Sequence, residues 1–195
     1  MKKLKKRILT FLYLLILLVG ISGVVYAAFS DKAKYTGTRL SVGNADIKLL
    51  KDLKLGVDST NLSDELEGPA FSNIVPFWVQ DYLVKIYNNA AGPVQLASIA
   101  NYETVNDPDE LRSVIYVEPF AWTDTNSNGL LDTGELGASL GRKTIVKWKV
   151  EGYDFGRMES GEVKGILLRF SADSISDTKQ GKSGSFDFEF SSASL

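Results

Sequence analysis

Three stretches in the second half of the chain alternate apolar and polar residues with a period of two. In residues 185–191, Phe186, Phe188 and Phe190 alternate with Asp187 and Glu189. In residues 162–172, Ile166, Leu168 and Phe170 share one face, and in 143–150 Val146, Trp148 and Val150 oppose Lys147 and Lys149. A period of two puts successive side chains on opposite faces of a strand, and one wet face is the mark of antiparallel sheets packed face to face. The first half repeats the signal in residues 80–88, where Tyr82, Val84 and Ile86 alternate with Asp81, Leu83 and Lys85. A turn over 88–93 ends that strand, and residues 94–102 are expected to return as its antiparallel partner. Residues 45–50 predict a short strand with Ala45, Ile47 and Leu49 on one face.

Between these strands the punctuation is dense. Residues 51–70 are charged and rich in Gly, Ser and Asn, and predict a loop with a helical turn near 63–66. Asp107, Pro108 and Glu110 supply a cap, a first-turn proline and a first-turn carboxylate, the start of a short helix. Residues 114–117 are β-branched and aromatic, and predict another strand. Turn residues at 151–152, 156, 160–161 and 181–184 separate the later strands. The expected fold is all-β, a jelly-roll or immunoglobulin-like antiparallel β-sandwich with short helices in its loops.

The amino terminus has a different pattern. Lys2, Lys3, Lys5, Lys6 and Arg7 precede an uncharged run, 8–30, that is aliphatic and aromatic up to Val19. Val25, Tyr26 and Ala27 then offer small or tolerated residues to a signal peptidase, so the reading is a secretory signal peptide, 1–27, cut between Ala27 and Ala28. An uncleaved leader would instead anchor the chain, since residues 8–28 are long enough to span a bilayer. Residues 28–43 form a polar segment and 44–195 the sandwich. The tail to Leu195 carries neither an apolar anchor nor a sortase-type signal, so the cut chain is expected to have no covalent tie to the envelope.

Charge and composition narrow the function. The leader removes five of the 22 Lys+Arg and none of the 24 Asp+Glu, leaving 17 against 24, a balance of −7. Phosphate binding needs a basic face, so nucleic acid is not an expected partner. Cysteine and histidine are both absent. Thiolate metal sites, zincins, Ser-His-Asp triads and Cys-His dyads therefore have no residues to work with. The chain is read as a non-enzyme, secreted or held at the cell surface.

The sharpest motif lies at residues 124–135, DTNSNGLLDTGE. Asp124, Asn126 and Asn128 stand at positions 1, 3 and 5 of a twelve-residue calcium loop, with Gly129 at 6, the Leu130 carbonyl at 7, Asp132 at 9 and Glu135 at 12. Alternate side chains of so tight a loop converge on one point, and a hard cation wants oxygen ligands there. The flanks are not the paired amphipathic helices of a calcium sensor. The loop is expected to stiffen a strand connection, at the ~10⁻⁴–10⁻³ M affinity of extracellular modules. Two look-alikes carry less. Asp132, Thr133 and Gly134 spell the aspartic-protease triplet, but a second copy is missing. Ser176 and Lys179 fit the SxxK spacing in a hydrophilic loop, without the dry helical setting that chemistry needs. Most aromatics fall at core spacing; Trp78 and Trp122, beside loops, are the candidates for an exposed carbohydrate platform.

From Ala28 the sequence resembles a known family. A leader ending in a small residue, then Ala28, Phe29, Ser30 and Asp31, a polar spacer, and GNADIKL at 43–49 are similar to the TasA/camelysin family, whose leaders are cut by a SipW-type signal peptidase. DYLVKIYNNAAGPVQLA at 81–97 and the closing strand around Phe186, Phe188 and Phe190 continue the likeness. The resemblance implies a jelly-roll subunit of an extracellular biofilm-matrix fibre. In such fibres the freed amino-terminal segment adds as a strand to a neighbour's sheet edge, which builds an open head-to-tail polymer of the chain with itself or a related subunit. Here residues 28–38 would be the donor and Phe29 and Tyr35 its anchors. The calcium loop looks like an insertion relative to that family. The competing expectation is a monomeric adhesion or carbohydrate-binding module that uses Trp78 and Trp122.

Overall fold

The computed structural model describes residues 38–42 and 47–195. The expected leader, its cut between Ala27 and Ala28, and the anchors Phe29 and Tyr35 lie outside the described residues, as does Ala45. Among the described residues no helix is long and apolar enough to cross a membrane.

Among the described residues twelve strands form two sheets packed as a sandwich. One sheet has five strands, in the order β10 (Tyr153–Met158), β6 (Val94–Asn101), β12 (Asp187–Ser194), β1 (Arg39–Val42) and β4 (Glu65–Glu67). The other runs β3 (Leu62–Ser63), β2 (Ile47–Leu50), β5 (Trp78–Asn88), β11 (Val163–Ala172), β7 (Tyr116–Trp122) and β8 (Leu136–Ser139), and the two-residue β9 (Lys143–Thr144) also pairs with β7. Neighbouring strands are antiparallel except for β1 and β12, which run parallel.

The alternation read from the sequence sets the core on β11, β12 and β5. Ile166, Leu168 and Phe170 face Phe188 and Phe190 across the sandwich, all but excluded from water. Phe71 sits at the hub, with its ring centroid 5.0 Å from Phe170 and 5.2 Å from Phe186, both edge to face. Edge-to-face pairs add to what area burial already contributes. Asn88, fully buried, holds the turn after β5, donating to the carbonyls of Gly92 and Glu159 and accepting from the Ala90 N–H.

Several expectations change on contact with the structure. Residues 94–102 do form a strand, but β6 is not the partner of β5; the turn carries the chain across to the other sheet, where β6 pairs with β12 and β10. Residues 143–150 are not a strand. After β9 the chain enters helix α1 (Ile145–Glu151), capped by Thr144, whose hydroxyl accepts the Lys147 N–H at 3.2 Å. Ile145 and Trp148, three apart, fill its buried side, while Val150 is 80 % exposed. The decisive contact is tertiary: the Trp148 ring stacks on Phe188 at 4.5 Å and its N–H reaches the Ser98 hydroxyl at 3.0 Å. A Gly152 cap at φ 64° ends the helix, and residues 153–158, among which Gly156 reads as a turn residue, form β10 with a bulge between Asp154 and Gly156.

The short helix expected after Asp107 shrinks to a 3-10 turn, 111–113, with buried Asp107 accepting the Leu111 N–H at 2.7 Å. Its strand begins later than expected, at Tyr116. Pro119 is accommodated in β7 because it falls between the stretches paired by β9 and β8, where a missing N–H costs little. The loop expected over 51–70 contains β3 and β4. Residues 39–42, read as part of the polar 28–43 segment ahead of the sandwich, form strand β1 in one of its sheets.

If α1 is a helix, Val150→Lys changes stability by less than about 0.5 kcal/mol, as exposed substitutions do. Trp148→Ala costs about 3–5 kcal/mol, the range for removing a large buried aromatic. Urea denaturation of the two variants checks both; a large loss from Val150→Lys would restore the strand.

Candidate metal loop on the outer face of the sheet

On β11 the side chains of Ile166, Leu168, Phe170 and Ala172 point into the core, so Gly165, Leu167, Arg169 and Ser171 point outward. Their partners on β7 are Trp122, Phe120, Glu118 and Tyr116. Trp122 is therefore on the outside of the sandwich, yet it is only 3 % exposed. Residues 123–135 cover it. The loop leaves the end of β7 and returns into β8, and the Thr123 N–H donates to the Glu135 carbonyl at 3.0 Å to close its neck. Gly165 makes room: a Cβ there would lie 2.4 Å from the Trp122 carbonyl oxygen and 3.1 Å from its ring.

The loop is wound by its own acceptors. Asp124 Oδ2 accepts the Gly129 N–H at 2.9 Å, and Oδ1 the Asn128 N–H at 3.1 Å. Asn126 Oδ1 accepts the Asn128 N–H, and Asn128 Oδ1 accepts the Leu130 N–H at 2.8 Å. Ser127 and Gly129 take positive φ, 57° and 70°, to make the tight coil. At Gly129 a Cβ would also press on Leu53 and Lys54 at 3.0 Å, which seats the loop against the 51–55 segment. Asn126 and Asn128 each donate an amide N–H to Asp132 Oδ2 at 2.7 Å. Three of the expected ligands thus meet at one point.

Glu135 behaves differently from the expectation of a ligand closing the sphere with two free oxygens. Oε1 accepts the Thr125 N–H and hydroxyl, both at 2.8 Å, and Oε2 accepts the Asp132 N–H at 3.0 Å and the Trp122 indole N–H at 3.4 Å. A carboxylate has about four lone-pair sites, and all four are engaged. These bonds, the Asp132 N–H first, hold the Glu135 carboxyl below its ordinary value. Burial pushes Asp124 up, but the donors from Lys85, Gly129 and Asn128 outweigh it and leave that carboxyl lowered too.

Sequence reading missed Lys85. Its ammonium lies 2.7 Å from Asp124 Oδ2, with the Asp124 side chain 2 % exposed and that of Lys85 13 %. It also donates to the Leu53 carbonyl at 2.7 Å and stands 5.2 Å from the Trp122 ring centre. An outward lysine on an alternating strand reads as solvent-facing; only the fold brings it to a carboxylate 39 positions away.

The donor set fits a hard cation at Asp124, Asn126, Asn128 and Asp132. Asp124 Oδ1 keeps one open lone pair, and turning either Asn amide presents oxygen where nitrogen now meets Asp132. Leu130, its side chain 57 % exposed, belongs to the same coil through its N–H. Glu135 fits only by giving up donors from Thr125, Asp132 or Trp122. Among the described residues no group of three or more Asp or Glu side chains is already gathered around one point. The chain matches no protein-family model, and no curated protein matches it either.

The remaining candidates are scattered. Lys179 donates to the Glu110 carbonyl at 2.9 Å and Ser176 meets Thr178, so the SxxK pair is not assembled as nucleophile and base. The tryptophan platform is not there: Trp122 is under the loop and Trp78 is half-buried, 6.0 Å from Phe71. The aromatic ring that does stand out is Phe77, 84 % exposed at φ 61°, beside exposed Val75 and Val79.

Glu135→Gln replaces an acceptor-only group by an amide whose NH2 faces donors. Cleavage within 124–135 under limited proteolysis should quicken severalfold while the urea midpoint of the sandwich stays put. The pH dependence has the sign of a depressed carboxyl. Protection is complete above the ordinary value of 4.5 and fades as pH falls through the lowered one. Equal cleavage of both proteins at pH 7 would show that Glu135 does not hold the loop.

Proposed function

We propose that the chain is a non-catalytic structural subunit of an extracellular matrix or cell-surface fibre. It is exported on its leader and assembles with itself, or with a related subunit, through its amino-terminal segment. The observation that carries the reading is the position of β1. This strand of four residues runs parallel to the carboxy-terminal β12 and lies between β12 and β4, with Arg39 paired to Asp187 and to Glu67. Residues 39–42 thus join β4 to β12 within one sheet. Residues 28–38 lead directly into this strand and would add to a neighbour's sheet edge; head-to-tail addition of that kind does not close.

From the ligand spacing we also infer calcium in the 124–135 loop. Asp124, Asn126, Asn128 and Asp132 would hold the ion, with the Leu130 carbonyl and, after releasing protein donors, Glu135. Bound there, the ion would cross-link the coil. The chain's own residues seat the loop on the sheet through Trp122, Gly129 and Lys85.

Protein beginning at Ala28 should elute from size exclusion as large species and show filaments by negative-stain microscopy. Deleting residues 28–38 should abolish both while leaving a folded sandwich. A strictly monomeric protein from Ala28, at millimolar concentration and with calcium present, would overturn the proposal.

A further inference from the structure

We propose that Lys85 is the loop's resident cation, holding the 124–135 coil folded without calcium and weakening calcium binding when the ion arrives. The calcium half of this inference rests on the proposed function; the metal-free half rests on geometry alone. Asp124 is almost wholly removed from water, and a buried carboxylate without a countercharge is costly. Three donors meet it: two backbone N–H groups of the coil and the Lys85 ammonium, and only the ammonium carries a full charge. Lys85 is fixed in turn by the Leu53 carbonyl and by the face of Trp122, an aromatic that attracts cations. It issues from β5 in the middle of a sheet, so it approaches from below the coil and cannot follow the loop if the loop opens.

The consequence for metal binding follows from charge. An ion bound to Asp124 is a near neighbour of a fixed ammonium, and like charges at that range repel even through water. Lys85 therefore trades affinity for a loop that is formed before the ion is present. Asp124 keeps its two backbone donors when the ammonium is removed, so the ligand itself stays aimed.

The test uses protein beginning at Ala28 and three variants. Lys85→Met keeps the aliphatic stem against Trp122 and removes the charge; Lys85→Arg keeps the charge; Asp124→Asn removes its partner. Calcium binding by titration calorimetry should tighten on the order of tenfold to thirtyfold in Lys85→Met, the size of a divalent ion's repulsion from one ammonium at a few ångströms in water. It should stay near the parent value in Lys85→Arg. Limited proteolysis in chelator should cut Lys85→Met within 124–135 several times faster than the parent, with calcium restoring protection, whereas the parent is protected in both conditions. Asp124→Asn should bind calcium more weakly and, like Lys85→Met, be cut faster in chelator, since it breaks the same ion pair and turns an amide NH2 toward donors that Asp124 now accepts from. Unchanged or weaker calcium binding in Lys85→Met, or equal resistance in chelator, would overturn the role of Lys85. Absence of calcium binding in every protein would refute the calcium reading, and the chelator arm would still decide whether Lys85 holds the loop.

Discussion

Gly165 lying under the Trp122 ring is the constraint on which the outer face of this sandwich depends. A strand pair in an exposed sheet face ordinarily presents polar side chains to water. Here one position has no side chain, and its cross-strand partner is an indole that lies down into the space. That creates a small second burial site on the side away from the core, with Leu167 next to it and fully buried. A loop that would otherwise project from the end of β7 is drawn back over the sheet to cover the ring. The Trp122 N–H finds Glu135, the loop's last residue, so the two ends of the coil are fixed to the same indole. A methyl group at Gly165 has nowhere to go, because the nearest obstacle is backbone.

The loop and the core are two different kinds of solution. The core relies on dispersion and area: Phe71, Phe170, Phe186 and Phe188 meet edge on, and Trp148 stacks flat on Phe188. The loop relies on counted polar bonds. Asp124 and Glu135, with seven donors between them, are nearly saturated by the chain itself, and the Lys85 ammonium supplies the full positive charge that makes burial of Asp124 tolerable. An ion at this loop would act on the three side chains that meet at Asp132 and on the grip of Glu135 on Trp122.

Much of the fold was legible because the strands with clean alternation, residues 80–88, 162–172 and 185–191, are the ones whose burial is decided by the sheet itself. Residues 143–150 misled for the same reason turned around. Val146, Trp148 and Val150 satisfy a period of two, but the burial that counts is that of Ile145 and Trp148, and the stacking partner Phe188 is 40 positions away. Gly156 read as a turn because its left-handed backbone, φ 79°, is what a bulged edge strand also needs. At the loop, ligand spacing is a local property and was visible as such. The Lys85 contact, the burial of Trp122 and the saturation of Glu135 arise from pairing of β5, β11 and β7, which no local pattern announces. The β1 strand was hidden because four residues parallel to the chain's last strand carry no pattern long enough to read.

The central claim, that calcium enters a loop clamped to Trp122 through Glu135, is tested most directly by following the Trp122 indole N–H resonance in a calcium titration. Assignment comes from a Trp122→Phe variant. The account predicts a saturable shift of that resonance, with the Trp148 indole N–H, bonded to Ser98 on the far side of the core, unmoved. A titration that saturates the protein with calcium while the Trp122 resonance stays fixed would contradict it.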